Sequence, residues 1–485
     1  MAEGKKEQNF LDYAANFLKG LSLMQPLNLC LLGSSFAMQR FGYGPDAVGI
    51  FIGMCHNSME LFYLFSALGA LAIFTSFQSY GEKTKNIQRY CSILVSWIIV
   101  AVNVVILKAF AWGEGNSNVV LYYWALVIAN FVAGIDDMII YDISSDNIPS
   151  YDLGASCTGI FVALLHGITI FILHKIRKDV NYWLVLTNIV VMLALSFIVA
   201  IVWSYYISTK LGDNAETPQP SSENGTSKCN GQCSFLNAYC GAFPMMAAST
   251  IGYGFIFVVY PLISPFEMVT FEHRYPIQSL CTTFQAISGI SIWCLAEKAD
   301  MKKKWEGNKR YYYLLYLLLI PYLGIGIMFI VIMHYPLSTV AKLVHMKPLI
   351  VGFLTVFFYF SGRVVINSST AAIDGNAKPS NGASDGKECK CKHGSTLSSV
   401  NLGINLLVLN ITKYISEAYI QQFITTRNAY KPGEPWPTEG MSVTDGFLYW
   451  LFTGIEEGFV SFKESFDQNV KGKLEHTLMV VNSEL

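Results

Sequence analysis

The chain has 485 residues, of which 53% are hydrophobic and only 14% are charged, and its formal net charge is −1. Ordinary soluble domains carry about a quarter charged residues, and this charge balance provides no basic surface for nucleic acid. The composition therefore argues against a set of soluble domains and against a nucleic-acid partner. A mean hydropathy of +0.39 predicts a helical membrane protein instead.

Eleven apolar stretches have about the length that an α-helix needs to cross a bilayer, roughly 20 residues. They cover residues 20–40, 50–77, 90–111, 119–141, 151–173, 182–208, 240–264, 275–297, 312–334, 348–373 and 397–424. The start of the chain lacks the features of a cleaved signal peptide, so we expect the first span to be a retained signal anchor.

Polar segments divide these spans into groups. A linker at 209–237, rich in Ser, Asn and Gly, separates a six-helix bundle over 1–208 from a five-helix bundle over 238–424. The remaining residues, 425–485, form a tail. Within the fifth span, small residues recur at every fourth position, which permits close contact between helices in a bilayer. They are Ala155, Gly159, Ala163 and Gly167.

The distribution of Lys and Arg predicts the orientation. With the N-terminus in the cytoplasm, the cytoplasmic segments hold most of these residues, including the basic loop 298–310. This places the C-terminus outside the cell, and we expect the plasma membrane. The glycosylation sequon at Asn224 would then lie in the cytoplasm, but a three-residue match is common by chance.

The tail contains a helical stripe of aromatic and aliphatic residues between Gly446 and Phe466, with Glu456 and Glu457 on the other side. This pattern is typical of an amphipathic helix at the membrane interface. The alternative is a twelfth span, which would return the C-terminus to the cytoplasm.

Motifs of known enzymes are missing. The sequence contains no phosphate-binding G-x-x-x-x-G-K-[ST] and no H-E-x-x-H, and residues 154–159 differ by one position from a nucleophile elbow. We therefore expect no ATP-driven step and no enzymatic activity. The pairs Cys229/Cys233 and Cys389/Cys391 lack a second pair at zinc spacing, so no metal or cofactor is predicted.

Ionisable residues inside membrane spans are costly and usually mark a substrate or ion path. Asp136 and Asp137 are adjacent in the fourth span, so their side chains point about 100° apart and face different partners. Either at least one of them faces a cavity, or both lie at the wetted inner end of the span.

Three further residues stand out in the spans. Arg363 needs a partner or water, and a charge pair with the other bundle would form a gate, whereas a pair within its own bundle would be structural. His56 and Glu60 lie four residues apart on one helix face. They can relay protons near neutral pH or simply bond to neighbouring helices. The candidates for proton coupling are His56, Glu60 and Asp136.

Four segments resemble signatures of the equilibrative nucleoside transporters. Residues 21–36, LSLMQPLNLCLLGSSF, are similar to the opening Leu-Pro-Trp-Asn region of that family. Residues 134–165, which contain a Pro-Ser-Tyr turn, are similar to the signature that joins the fourth and fifth spans. FVVYPLISP at 257–265 is similar to the seventh-span Phe-Pro motif, and LLIPYL at 318–323 to the ninth-span Ile-Pro-Leu.

The chain departs from the family at two places. The family's first-span Trp corresponds to Cys30. The eighth-span Asp and Arg, which help to bind the sugar in the family, correspond to Ser288 and Ile292. The sequence thus resembles a divergent member of the protozoan, piroplasm type.

The resemblance implies an all-α fold of about eleven membrane helices in a major-facilitator-like arrangement, whose halves rock around a central cavity. It implies facilitative or proton-coupled uptake of nucleosides or nucleobases, with the lipid bilayer as the other partner. The residues expected to bind the substrate are Gln25, Asn28, Asp137, Gln285, Ser288 and Arg363. Two alternatives stay open: a transporter of another small solute, such as an amino acid or a small drug, and a multi-span surface protein that does not transport.

Overall fold

The structure, a computed structural model, describes residues 2–43, 45–76, 82–112, 117–144, 147–176, 179–216, 235–335, 338–377, 393–430, 436–464, 466, 470 and 472. Fifteen α-helices make up most of this part of the chain. They are α1 (Ala2–Leu23), α2 (Gln25–Asn28), α3 (Ser34–Arg40), α4 (Pro45–Ser76), α5 (Glu82–Ala111), α6 (Ser117–Ile143), α7 (Ile148–Ile176), α8 (Val180–Glu216), α9 (Phe235–Val259), α10 (Phe271–Lys298), α11 (Leu319–His334), α12 (Thr339–Val344), α13 (Pro348–Asn376), α14 (His393–Ala429) and α15 (Val443–Glu464).

Ten helical segments of the described chain are long and apolar enough to cross a membrane. They are Phe51–Ser76, Thr84–Ala111, Asn118–Ile143, Ile148–Ile176, Val180–Leu211, Phe235–Glu267, Pro276–Lys298, Gly307–His334, Pro348–Asn376 and Gly394–Ile424. They coincide with the predicted spans from 50–77 to 397–424. The all-α membrane class is thereby confirmed, and the protein is an integral membrane protein.

The first predicted span, 20–40, is helical but does not belong to these ten. The polar residues Gln25, Asn28 and Gln39 interrupt its apolar character, and the helical run is broken by a turn at Met24. A π-helical segment, Leu29–Gly33, joins α2 to α3.

Contacts between helices divide them into two groups. Within residues 2–216, α1 packs on α7, α4 on α6, and α5 on both α6 and α8. Within residues 235–429, α9 packs on α13 and α14, and α10 packs on α13. We call these the first and second helix groups; α7 with α10 and α4 with α14 form their main contacts. The linker predicted at 209–237 falls mostly outside the described residues, so the proposed boundary stays a prediction.

Glycines allow α1 and α7 to approach closely. A β-carbon on Gly154 of α7 would overlap the carbonyl oxygen of Phe17, and one on Gly20 of α1 would overlap that of Tyr151. In lipid no hydrophobic effect drives helices together, so close van der Waals contacts of this kind hold them. Gly159, from the small-residue stripe predicted on α7, contacts α10. A β-carbon added to Gly159 would lie 2.7 Å from the β-carbon of Thr282.

The last helix, α15, lies lengthwise and antiparallel along α14. Trp450 contacts Phe423 with ring centroids 5.2 Å apart, and Gly454 and Gly458 meet Tyr419 and Tyr414 in turn. An interfacial helix would instead lie across the end of the bundle. Beyond α15 the chain continues in the same direction, since Phe466 stacks on Phe65 of α4 at 6.2 Å.

α15 is not one of the ten apolar segments, but its course along α14 favours a crossing. Added to the eleven predicted spans, this twelfth crossing would place the two chain termini on the same side. Epitope tags at both ends of the full chain, detected in intact and in permeabilised cells, measure this. Equal accessibility of both tags is the expected result. Tags on opposite sides would contradict the crossing and support the extracellular C-terminus expected from the sequence.

Replacing Gly154 with Ala should destabilise the protein by about 1–3 kcal/mol, because a methyl group there overfills the contact between α1 and α7. Gly167→Ala on the same helix is the matched control, because no atom lies within 4 Å of its β-carbon position. The midpoint of thermal unfolding of the detergent-purified protein checks both variants. Equal midpoints would show that the close approach contributes nothing.

Candidate functional site

Two carboxylates of the first helix group lie in the interior of the bundle. Asp137 of α6 accepts a hydrogen bond from the Tyr63 hydroxyl of α4. Asp152 of α7 accepts hydrogen bonds from the Tyr141 hydroxyl and the Thr370 hydroxyl, each at 3.0 Å. Because Thr370 belongs to α13, Asp152 directly links the two helix groups.

A guanidinium group of the second helix group lies near these carboxylates. Arg363 sits on α13, about two turns before Thr370. Its Nη2 donates to the Tyr359 hydroxyl at 2.9 Å, and that hydroxyl donates to Oε1 of Gln285 at 2.8 Å. The guanidinium carbon also lies 5.1 Å from the centroid of the Tyr359 ring. Tyr260 packs against the same ring, with centroids 4.6 Å apart.

Arg363 forms no ion pair with any carboxylate of the described chain. Asp152 and Glu60 are nonetheless close enough to interact with it electrostatically. Tyr253 of α9 is close enough to interact electrostatically with Arg363, Asp152 and Asp137. The Nε of Arg363 has no hydrogen-bond partner among the described residues. The guanidinium therefore keeps donors for a bound molecule.

The structure brings Gln285 and Ser288 into the same region of α10 and α13. The Ser288 hydroxyl donates to the carbonyl of Gln285 at 2.8 Å and accepts from Asn367 Nδ2 at 3.3 Å. Ile292 is 3% exposed and packs in an apolar cluster with Ala372. The position that resembles the family's sugar-binding Arg thus belongs to the hydrophobic core.

Gln25 and Asn28 do not join this hydrogen-bonded network. The side-chain amide of Gln25 donates to the carbonyl of Leu21 at 3.3 Å, and that of Asn28 donates to the carbonyl of Met24 at 2.9 Å. These bonds stay within the first helical run, as is common for polar side chains in membrane helices. Their role as substrate ligands stays a prediction.

A second polar cluster joins α4 to α14. Lys413 Nζ lies 3.0 Å from His56 Nδ1, and His56 Nε2 lies 3.6 Å from a carboxylate oxygen of Glu60. An ammonium group has only donors, so Nδ1 accepts and the ring proton lies on Nε2, towards Glu60. The sequence pairs His56 with Glu60 by their spacing, but it does not reveal Lys413, which is 357 positions away.

The adjacent aspartates of α6 face different partners, as their angular offset predicts. Asp136 turns away from Asp137 and forms an ion pair with Lys19 of α1, 2.8 Å from Nζ to Oδ2. The two side chains are 2% and 0% exposed. Sequence reasoning missed Lys19, which lies one residue before the first predicted span and has the appearance of a solvated flanking residue.

No group of three or more His, Cys, Asp or Glu side chains arranged for a metal ion occurs in the part of the chain that the structure describes. The cysteine pairs at 229/233 and 389/391 lie outside that part, as does the sequon at Asn224.

Comparisons with known proteins leave the family open. No protein-family model matches the sequence, and no curated protein sequence matches it. The structure is similar to the crystal structure of a bacterial homologue of the iron transporter ferroportin in the outward-facing state, with a TM-score of 0.46 and 9% sequence identity. The match covers 96% of this chain and 99% of that chain. Likeness at this level bears on neither family nor substrate, so the resemblance to the nucleoside transporters stays a prediction.

Thr370→Val should lower the free energy of unfolding by about 1–2 kcal/mol, because it removes a hydrogen bond to a buried carboxylate between the helix groups. Thr412→Val is the matched control, because the Thr412 hydroxyl donates only to carbonyls of its own helix. Thermal unfolding of the purified variants compares them. The link through Asp152 is refuted if the two substitutions have the same effect.

Proposed function

We propose that the chain is a membrane transporter that moves nucleosides or nucleobases by alternating access, with its two helix groups in a major-facilitator-like arrangement. The observation that carries the proposal is the placement of Asp137 and Asp152 on one group opposite the unpaired guanidinium of Arg363 on the other. Unpaired charge inside a membrane protein is costly and typically marks a substrate path.

A nucleoside offers groups that complement this arrangement. Its ribose hydroxyls are donors, which the carboxylates of Asp137 and Asp152 accept. Its base carries carbonyl and ring-nitrogen acceptors, which suit the guanidinium of Arg363. The aromatic rings of Tyr359 and Tyr260 lie beside that guanidinium and supply an apolar surface for stacking with the base.

The contacts between the helix groups suit a mechanism in which the groups rock. The Asp152–Thr370 and His56–Lys413 pairs both join one group to the other. Each pair must break when the two helix groups separate on its side of the site. Substrate binding that replaces these contacts therefore favours the rocking of the groups. His56, Glu60 and Asp136 are the groups that we propose for proton coupling, since imidazole and carboxylate groups can take up and release protons. Lys413 is the partner of His56 on the other helix group.

A zwitterionic solute such as an amino acid is the second candidate. The same opposition of charges favours it, because an ammonium group would pair with Asp137 or Asp152 and a carboxylate would bind the guanidinium of Arg363 in a bidentate manner. Competition experiments separate the two candidates.

The deciding experiment is uptake of radiolabelled purine nucleosides and nucleobases by cells that express the chain, with a pH gradient present and then collapsed. Saturable uptake, competed by unlabelled nucleoside and not by amino acids, is the expected result. Loss of uptake on collapse of the gradient would support proton coupling. No uptake by protein that reaches the surface would overturn the nucleoside proposal, and inhibition by amino acids alone would favour the second candidate.

Asp137→Ala should lower uptake at least tenfold without changing surface expression, because a charge-assisted hydrogen bond to substrate contributes about 1.5–3 kcal/mol. The matched control is Asp142→Asn on the same helix, whose carboxylate bonds to Gln88 at 2.6 Å, away from the site. Surface biotinylation normalises the uptake. Normal uptake by the Asp137 variant would remove this residue from the site.

A further inference from the structure

A crevice surrounds the Lys19–Asp136 ion pair inside the first helix group. The space inside it is about 10 Å³, room for one water-sized species, and it lies between α1, α5, α6 and α8. Besides the ion pair, the lining combines three hydroxyl side chains with apolar ones. These residues are Ser22, Ser96, Ser196, Leu23, Ile99 and Val199. The crevice lies on a different face of α6 from the Tyr63 hydroxyl that bonds to Asp137.

Neither oxygen of Asp136 accepts a hydrogen bond within the described residues. Oδ2 lies 2.8 Å from the ammonium group of Lys19 as an ion pair, whereas no described ion pair or hydrogen bond reaches Oδ1. The side chain is fully buried. Buried carboxylate oxygens are almost always satisfied, because an unsatisfied one keeps its full desolvation cost. An additional positively charged or donating group is therefore expected at Oδ1.

Lys19 has other partners besides Asp136. Its ammonium group also donates to the Ser96 hydroxyl and lies 5.2 Å from the centroid of the Trp203 ring. The ring of Trp203 is buried, so it can hold a cation away from water. Lys19 can therefore leave the carboxylate and still have a hydrogen bond and a cation–π contact.

The donor atoms of the crevice suit a small hard cation. A carboxylate and several hydroxyls supply only oxygen ligands, which hard cations prefer over soft transition metals. Once Lys19 has left Asp136, the single carboxylate carries one negative charge, which balances a monovalent cation but not a divalent one. The site therefore favours a monovalent cation.

We propose that Asp136, with the hydroxyls of Ser22 and Ser196, forms a sodium site in which Lys19 is a tethered competitor. When sodium binds, Lys19 moves from Asp136 towards Ser96 and Trp203. Because Asp137 follows Asp136 on the same turn of α6, the occupied site adjusts the position of the substrate ligand. This coupling rests on the proposed function, whereas sodium binding itself does not.

The test measures thermal unfolding of the detergent-purified full chain in sodium, potassium or choline chloride at equal ionic strength. Sodium should raise the unfolding midpoint by a few degrees over choline, as expected for a ligand that binds only the folded state. Asp136→Asn should abolish this rise. Lys19→Met should lower, at least threefold, the sodium concentration that gives half of the maximal rise in the unfolding midpoint. The reason is that the competing ammonium group is gone.

Two further variants keep the result interpretable. Asp142→Asn makes the same chemical change on α6 outside the crevice and should retain the sodium response. If a single variant does not fold, the double variant Lys19→Met/Asp136→Asn removes both charges together, and it should fold and show no sodium response. A sodium response that persists in this double variant would refute the site.

Other outcomes also overturn the proposal. Equal unfolding midpoints in sodium and choline would show that Lys19 and Asp136 form only a structural ion pair. The same conclusion would follow if the Asp136 and Lys19 variants lowered the midpoint equally in every salt. A rise on acidification, with no effect of sodium, would indicate protonation of Asp136 instead. Sodium-dependent stability in a protein that takes up no nucleoside would leave the site in place and refute only the proposed function.

Discussion

The cost of a charge in a low-dielectric interior governs the arrangement of this protein. Each charged group inside the bundle requires a partner, and most find one on a different helix. Lys19 of α1 pairs with Asp136 of α6, and Lys413 of α14 meets His56 of α4. These pairs fix which helix faces meet, because breaking either would leave an isolated buried charge. Arg363, Asp137 and Asp152 differ, since in the described chain their partners are hydroxyl and aromatic groups and not groups of opposite charge.

Close backbone contact complements this constraint. Gly20 and Gly154 let α1 and α7 approach until the backbone of each helix occupies the place where a β-carbon of the other would lie. Lys19 lies one residue before Gly20, and Asp152 lies two residues before Gly154, so both charged groups are next to this contact.

The two faces of α6 give the proposals a common mechanical basis. Asp137 belongs to the polar region between the helix groups, whereas Asp136 belongs to the crevice within the first group. A rigid helix transmits a displacement at one residue to the next. Occupation of the crevice and binding at the central site are therefore expected to influence each other.

The sequence by itself determined the membrane class, the positions of ten spans and several of the charged residues inside them, such as Asp137 and Arg363, because these follow from local hydropathy and helical spacing. It also predicted that Asp136 and Asp137 face different partners, since the geometry of a helix decides their angle. It did not identify Lys19, Lys413 or Thr370 as partners, nor the course of α15 along α14. Those depend on contacts between residues far apart in the chain, such as Lys413 and His56. Only tertiary packing decides them, because the energy of a buried charge depends on the neighbour that the fold provides.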